Sequence, residues 1–137
     1  MSGITQCMTT SFKVDCLGIV SNAKIALYSV ANGATLDATT TTYATTGEIT
    51  GTGYTAGGLA LTIGTAPTSS GTTAFLGFNN VVWTGASFSA DGALIYNATT
   101  GHSIAVLNFG GTKTVTSGTF TVQFPAAAAG TAIVQIA

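Results

Sequence analysis

The sequence has few charged side chains and no arginine. Charged residues make up 5% of the 137 residues, and the net charge is -1, whereas an ordinary soluble domain is about 25% charged. With three lysines as its basic residues, the chain lacks the groups that neutralise phosphates. This composition argues against nucleic acid as a partner and against electrostatic binding to anionic membranes.

Long apolar runs and sets of metal ligands are also missing. No run approaches the roughly 20 apolar residues that cross a bilayer, so we expect no membrane partner. The two cysteines, Cys7 and Cys16, are too few for a disulfide framework, and we expect both to be reduced. Together with the single histidine, His102, they do not supply four ligands for a structural zinc ion. We therefore predict no metal site.

The groupings that catalysis requires are absent as well. The carboxylates are scattered along the chain, no serine lies in a nucleophile-elbow sequence, and His102 follows a glycine as an exposed turn residue would. Residues 51–56, GTGYTA, match the letters of a dinucleotide-binding fingerprint, but a glycine pair and a strand-like run follow where that fingerprint needs a helix. We predict a protein that is not an enzyme and that binds no cofactor.

Threonine and glycine replace the missing charges, and the apolar residues are arranged as in strands. Short runs rich in Val, Ile, Thr, Tyr and Phe recur between turn-forming residues. In residues 119–124 the apolar Phe120, Val122 and Phe124 alternate with polar residues, which is typical of a strand with one buried face. The predicted strands are residues 24–30, 59–63, 73–78, 87–97, 103–109, 119–124 and 132–136, with weaker signals at 46–50 and 81–83.

These strands predict an all-β, single-domain β-sandwich with Trp83 and the phenylalanines in its core. We prefer a jelly roll, because the Cys, Trp, Cys pattern of immunoglobulin domains is missing. Asp91 and Gly92 are interpreted as a β-bulge, since apolar residues continue on both sides of them.

Residues 1–23 are predicted to be an N-terminal arm, and residues 24–137 the β-sandwich body. Phe12, Cys16 and Ile19 share the spacing of one helical stripe, although Gly18 weakens a helix there. An extended arm that packs locally is the preferred interpretation, and a helical turn or two is the alternative.

The low charge also predicts burial in an assembly. Small free domains usually stay soluble through interspersed charges, whereas a surface of hydroxyl, amide and small apolar groups can be buried without desolvating ions. The alternative is a threonine-rich monomer whose hydroxyl groups keep it hydrated. The candidate contact residues, for which local packing is the other interpretation, lie in the arm and in a Thr/Gly-rich loop: Phe12, Val14, Ile19, Tyr43 and Tyr54.

Several strings between residues 11 and 137 together resemble a family of small structural proteins of tailed bacteriophages. They are SFKV at 11–14, KIALY at 24–28, TGEITGTGYTAGG at 46–58, GALIYN at 92–97, AVLNFGG at 105–111 and GTFTVQFP at 118–125. The family is similar to capsid cement, or decoration, proteins with a β-sandwich or jelly-roll body. Relatives are expected to carry more charge, with a basic residue where Asp91 stands here and an acidic residue where Asn108 stands, so their charged contacts do not transfer to this chain.

The resemblance implies a virion protein made in the host cytoplasm and bound to the capsid exterior, with no catalytic residues. Its implied partner is the major capsid protein at the junctions between capsomers, and a homodimer is expected on the shell. Two alternatives remain at this point. One is a tail or head-tail structural component, and the other is a glycan- or receptor-binding module of the virion that stacks sugars on Trp83 or Tyr96.

Overall fold

The computed structural model describes residues 3–137, which form two antiparallel sheets and one short α-helix. In chain order the elements are α1 (Thr10–Leu17), β1 (Ala23–Tyr28), a 3-10 turn (Val30–Asn32), β2 (Leu59–Ala60), β3 (Ile63–Ser70), β4 (Thr73–Phe78), β5 (Val81–Asn97), β6 (Ser103–Val122) and β7 (Val134–Ile136). The predicted all-β class is confirmed.

The larger sheet has the strand order β2-β1-β5-β6 and is dominated by the long hairpin of β5 and β6. Trp83 lies opposite Phe120 in this hairpin, and both side chains are buried. Their rings form an aromatic cluster with those of Tyr54, Phe88 and Phe109, with neighbouring ring centroids 5.1 to 6.4 Å apart. The prediction that Trp83 belongs to the core is confirmed.

The smaller sheet has the order β3-β4-β7, and α1 packs against β3 and β4. Phe75, Leu76 and Phe78 of β4 are buried. The β3–β4 hairpin turns at Gly71, which has a positive φ of 59°, as the Ser-Gly pair in this turn favours.

The strand order does not support the preference for a jelly roll. A jelly roll has eight strands in two Greek keys, whereas residues 3–137 form seven strands, and several sheet neighbours are consecutive in the chain, such as β1–β2, β3–β4 and β5–β6. Hairpins therefore account for much of the pairing.

Several predicted strand boundaries differ from those observed because two strands run through irregular positions. β5 joins residues 81–83 and 87–97. β6 joins residues 103–109 to residues 119–122 and ends at Val122, two residues before the predicted end of the last of these strands. Register shifts between the two strands accompany these joins. Residues 46–50 form one isolated bridge, between Glu48 and Tyr28, instead of a strand. β3, which contains Pro67, was not predicted as a separate strand; proline is tolerated at sheet edges, and β3 is an edge strand.

β5 continues through Asp91 and Gly92 as predicted, but the extra residues of the irregularity at this point belong to β6 and not to Asp91 and Gly92. Ala90 pairs with Lys113 and Gly92 pairs with Asn108, so residues 109–112 of β6 lie opposite Asp91 alone. The Asp91 carboxylate accepts hydrogen bonds from the Thr112 hydroxyl and from the Val30 amide, and these bonds hold its pKa below the ordinary value.

Contacts divide the chain into two compact units. One unit contains residues 3–19, Ile63–Phe78 and Phe124–Ala137, and the other contains Val20–Thr62 and Asn79–Gln123. Residues 3–19 of the predicted arm thus belong with the three-stranded sheet, and the predicted boundary at residue 23 falls on the first residue of β1. Residues 1–2 of that arm lie outside the described residues.

Candidate interaction surface

Exposed apolar side chains are concentrated in the N-terminal segment. Residues 3–9 have no helix or strand, and every one of them is exposed. Ile4 is 88% exposed, Met8 47%, Phe12 54% and Ile19 79%. We call these four side chains the N-terminal apolar surface. In the rest of the described chain the exposed large apolar side chains are Val30 and Val82, so this segment is where such groups are concentrated and is the candidate region for contact with a partner.

A helix forms at Thr10–Leu17, so the helical alternative is confirmed and the preferred extended arm is wrong for these residues. α1 begins after Thr9, whose side-chain oxygen accepts a hydrogen bond from the Phe12 amide, as an N-cap residue does. Lys13 and Leu17 form the buried face of the helix. Phe12 and Ile19, two of the predicted contact residues, face solvent.

Lys13 takes a buried position on this helix that its residue type did not indicate. Its side chain is 8% exposed, and its Nζ donates a hydrogen bond of 2.8 Å to the Thr72 carbonyl oxygen at the β3–β4 turn. The apolar stem of a lysine can pack like a hydrophobic residue while its ammonium group finds an acceptor. A stripe defined by hydrophobic residues alone omits such a side chain.

The other predicted contact residues are less exposed. Val14 is half-buried on α1. Tyr43 and Tyr54 are also half-buried, and the hydroxyls of both donate hydrogen bonds to the carboxylate of Glu48. The structure thus brings Tyr43 and Tyr54 together, but it uses their hydroxyl groups within the protein.

Glu48 is the centre of a hydrogen-bonded cluster that sequence reasoning missed. It is 8% exposed, and one of its carboxylate oxygens also accepts a hydrogen bond of 2.8 Å from the Gly57 amide. Three donors on one buried carboxylate satisfy a charge that would otherwise be costly to bury. The available signal was that the only glutamate of the chain lies between two tyrosines, Tyr43 and Tyr54.

The remaining two tyrosines complete this cluster. The Tyr28 hydroxyl donates to the Ala44 carbonyl at 2.6 Å, and the Tyr96 hydroxyl donates to the Gly57 carbonyl at 2.7 Å. The rings of Tyr43 and Tyr96 are in contact, with centroids 4.7 Å apart. All four tyrosines of the protein therefore fasten residues 43–57 to β1 and β5.

Burial and the nearby negative charge make these tyrosines hard to ionise. Desolvation is the largest cause, followed by Glu48, and together they raise the pKa of Tyr28 to about 12. The pKa values of Tyr43, Tyr54 and Tyr96 are also raised, in each case mainly by burial and then by Glu48. The cluster has the chemistry of a structural clamp, because its donors and acceptors bond to one another.

Only some of the charged side chains lie on the protein surface. Of the seven charged side chains, Lys13 and Glu48 are buried, and Lys24 and Asp91 are half-buried. Asp15, Asp37 and Lys113 are the three that are exposed. The protein surface is therefore even less charged than the composition suggests.

The structure also shows the positions of the histidine, the two cysteines and the two aromatic residues considered for sugar stacking. His102 is exposed and follows Gly101, as predicted, and Cys7 and Cys16 are free thiols. Trp83 is 2% and Tyr96 6% exposed, so neither ring presents the open face that sugar stacking needs.

No helix follows the glycines of residues 51–56, as predicted; the next element along the chain is the short strand β2. Within residues 3–137 no group of three metal-ligating side chains occurs. No helix in the described part of the chain is long and apolar enough to span a membrane.

Comparison with known proteins finds no matching family model, no matching curated protein and no matching solved structure.

Proposed function

We propose that this chain is a structural protein of a tailed-bacteriophage particle: a cement protein that binds the outer surface of the major capsid protein shell at capsomer junctions. The sequence strings given above support the phage assignment. The observation that carries the binding role is the N-terminal apolar surface on a protein with three exposed charges. Such a surface can be buried against a protein shell without desolvating ions.

The role is mechanical. A subunit placed where neighbouring capsomers meet adds buried area across the seam, so separation of the capsomers also requires its contacts to break. Many symmetry-related copies act together, and therefore a modest interface per copy stabilises the shell against the pressure of packaged DNA.

The test is decoration of shells assembled without this protein, measured as bound copies per shell against protein concentration. Phe12→Lys and Ile19→Lys, combined in one variant, place charges on the N-terminal apolar surface at positions 54% and 79% exposed. The fold should tolerate this change, whereas half-saturation should require at least about tenfold more protein, since charges at an interface core are strongly unfavourable.

Val30→Lys is the matched control, because Val30 is 70% exposed but lies outside the N-terminal segment. It should decorate shells as the unmodified protein does. Equal binding by the Phe12/Ile19 variant would remove the N-terminal apolar surface from the proposal. A copy number of hundreds per intact particle supports cement, and a few copies would indicate a tail or head-tail component instead.

A further inference from the structure

The contact between Trp83 and Tyr54 joins the two easily oxidised rings of the aromatic cluster. Their rings are stacked, with centroids 6.3 Å apart and planes inclined by 16°. Trp83 also contacts the rings of Phe88 and Phe120, but phenylalanine is much harder to oxidise than tryptophan or tyrosine. Because electron transfer between side chains slows steeply with distance, Tyr54 is the ring placed to exchange an electron with Trp83.

The indole proton of Trp83 has no acceptor within residues 3–137. Its Nε1 atom is buried and makes no hydrogen bond to any of these residues, although an indole N–H can only donate. A tryptophan that loses one electron becomes a radical cation, and its oxidising power falls when the Nε1 proton passes to an acceptor. The radical cation of Trp83 is therefore expected to keep this proton and to remain a strong oxidant.

The hydroxyl of Tyr54 has the opposite environment, because it already donates a hydrogen bond to a base. The acceptor is a carboxylate oxygen of Glu48, and a base within hydrogen-bond distance is positioned to take the proton. The phenol oxygen also accepts a hydrogen bond of 3.0 Å from the Leu27 amide, which holds it in place. Since tyrosine gives up an electron readily only when its hydroxyl proton leaves as well, Glu48 makes Tyr54 easier to oxidise.

We propose that Tyr54 and Glu48 form a redox site that takes over oxidation from Trp83. A one-electron oxidant, such as a small inorganic radical or a photoexcited dye, first removes one electron from the indole. One electron then passes from the Tyr54 ring to the indole, the Tyr54 O–H bond breaks, and its proton goes to the Glu48 carboxylate. The products are a neutral indole, a neutral tyrosyl radical and a neutral carboxylic acid.

This transfer removes two charges from the interior of the protein. Glu48 is 8% exposed and Trp83 is 2% exposed, and ions are costly to hold in such surroundings. Before the transfer the two side chains are an anion and a radical cation, and after it both are neutral. The indole is restored, so Trp83 is spared the permanent oxygen addition that a persistent indole radical undergoes.

Laser-flash spectroscopy of the full chain tests the transfer. Light that indole absorbs and phenol does not ejects an electron from Trp83, the only tryptophan, and a cobalt(III) ammine complex in the buffer takes up this electron to form cobalt(II). The absorption of the tryptophan radical cation should decay at the rate at which that of the tyrosyl radical grows, whatever the protein concentration. A tryptophan radical that decays without a tyrosyl signal would overturn the proposal.

Three variants assign the transfer to its residues. Tyr54→Phe should lose the tyrosyl signal that grows at this rate. Glu48→Gln keeps a hydrogen-bond acceptor but replaces the carboxylate by a much weaker base, so the transfer should slow at least about tenfold. Tyr96→Phe is the matched control and should keep the original rate, because the Tyr96 hydroxyl bonds to the Gly57 carbonyl and its ring contacts Tyr43. Equal rates in all three variants would contradict the proposal.

A measurement on the unmodified protein avoids any effect of substitution on the fold. Because the Tyr54 proton moves with the electron, the transfer should be slower in D₂O than in H₂O. Equal rates in the two solvents would show that Glu48 does not take the proton. Both experiments use the isolated protein, so their outcome does not depend on binding to a capsid.

Discussion

At the scale of single residues, Glu48 is the side chain on which the Thr/Gly-rich loop depends most. Replacing it by alanine removes the acceptor of three hydrogen bonds and leaves Tyr43, Tyr54 and the Gly57 amide without their partner. Because a buried donor left unsatisfied costs about 1–3 kcal/mol, we expect Glu48→Ala to lower the free energy of unfolding by about 3 kcal/mol. Urea unfolding followed by tryptophan fluorescence measures this change.

Glu48→Gln is the matched variant, since it keeps one carbonyl acceptor and nearly the same shape. We expect it to cost about 1 kcal/mol. Equal destabilisation by alanine and glutamine would show that the size of the side chain, and not its hydrogen bonding, holds the loop.

The tyrosine cluster also predicts how stability depends on alkaline pH. In the unfolded chain tyrosines lose their protons near pH 10, whereas the folded protein retains the Tyr28 proton until about pH 12. Between these values the folded state binds more protons than the unfolded state, so the free energy of unfolding falls as pH rises. Below pH ~10 this contribution should be constant. Urea unfolding at several alkaline pH values should show the fall.

Tyr28→Phe removes one of the titrating groups, so its stability should fall less steeply with pH in that range than that of the unmodified protein. A stability that stays constant across it would contradict the raised pKa values.

Which residues are buried was only partly predictable at this scale. The burial of Trp83 and the exposure of His102 were predicted correctly, because local sequence indicates both: the tryptophan follows two valines, and the histidine follows a turn glycine. The burial of Lys13 and Glu48 was not predicted. Lys13 is buried through a partner distant in sequence, Thr72. Glu48 is buried by the conformation of a loop, which no periodicity in the sequence indicates.

At the scale of secondary-structure elements, the loop after the 3-10 turn approaches β1 very closely at one glycine. Gly58 has a positive φ of 77°, and a Cβ at this position would overlap the Ile25 carbonyl oxygen of β1. Gly71 also has a positive φ, of 59°, but a Cβ there meets nothing within 4 Å. Comparing substitutions at Gly58 and Gly71 therefore separates the cost of backbone strain from the cost of close packing.

We expect Gly71→Ala to cost about 1 kcal/mol, through strain alone, and Gly58→Ala at least about 3 kcal/mol, because the two segments must also move apart. Thermal unfolding of both variants measures the difference. Similar costs for the two substitutions would mean that the loop can shift away from β1 freely.

The strand signals were most reliable where apolar and polar residues alternate or where a strand is fully buried. Residues 73–78 were predicted with the observed bounds, and the continuation of β5 through Asp91 and Gly92 was predicted from apolar residues on both sides. Glycines such as Gly110 and Gly111 are typical of turns, yet β6 continues through them, because pairing with β5 on either side outweighs the local preference. Long-range pairing of this kind is not visible in a short window of sequence.

At the scale of the whole molecule, the scarcity of exposed charge predicts how the proposed binding depends on salt. Interactions between exposed charges weaken as ionic strength rises, whereas apolar contacts do not. With Asp15, Asp37 and Lys113 as the exposed charges, we expect the concentration for half-saturation of capsid shells to change less than about threefold between low and high salt. Titrations in sodium chloride measure it. A steep loss of binding at high salt would indicate that charged groups carry the contact.

The turn between the two longest strands has a further consequence for protein engineering. Residues 98–100 are exposed, and the hairpin is closed below them by the Gly101 amide, which donates to the Asn97 carbonyl at 2.7 Å. Lengthening an exposed connection costs little, about 0.6 kcal/mol for each doubling of its length. A foreign peptide grafted at Thr100 would therefore be displayed at the end of the β5–β6 hairpin, and the chain would serve as a carrier for epitopes.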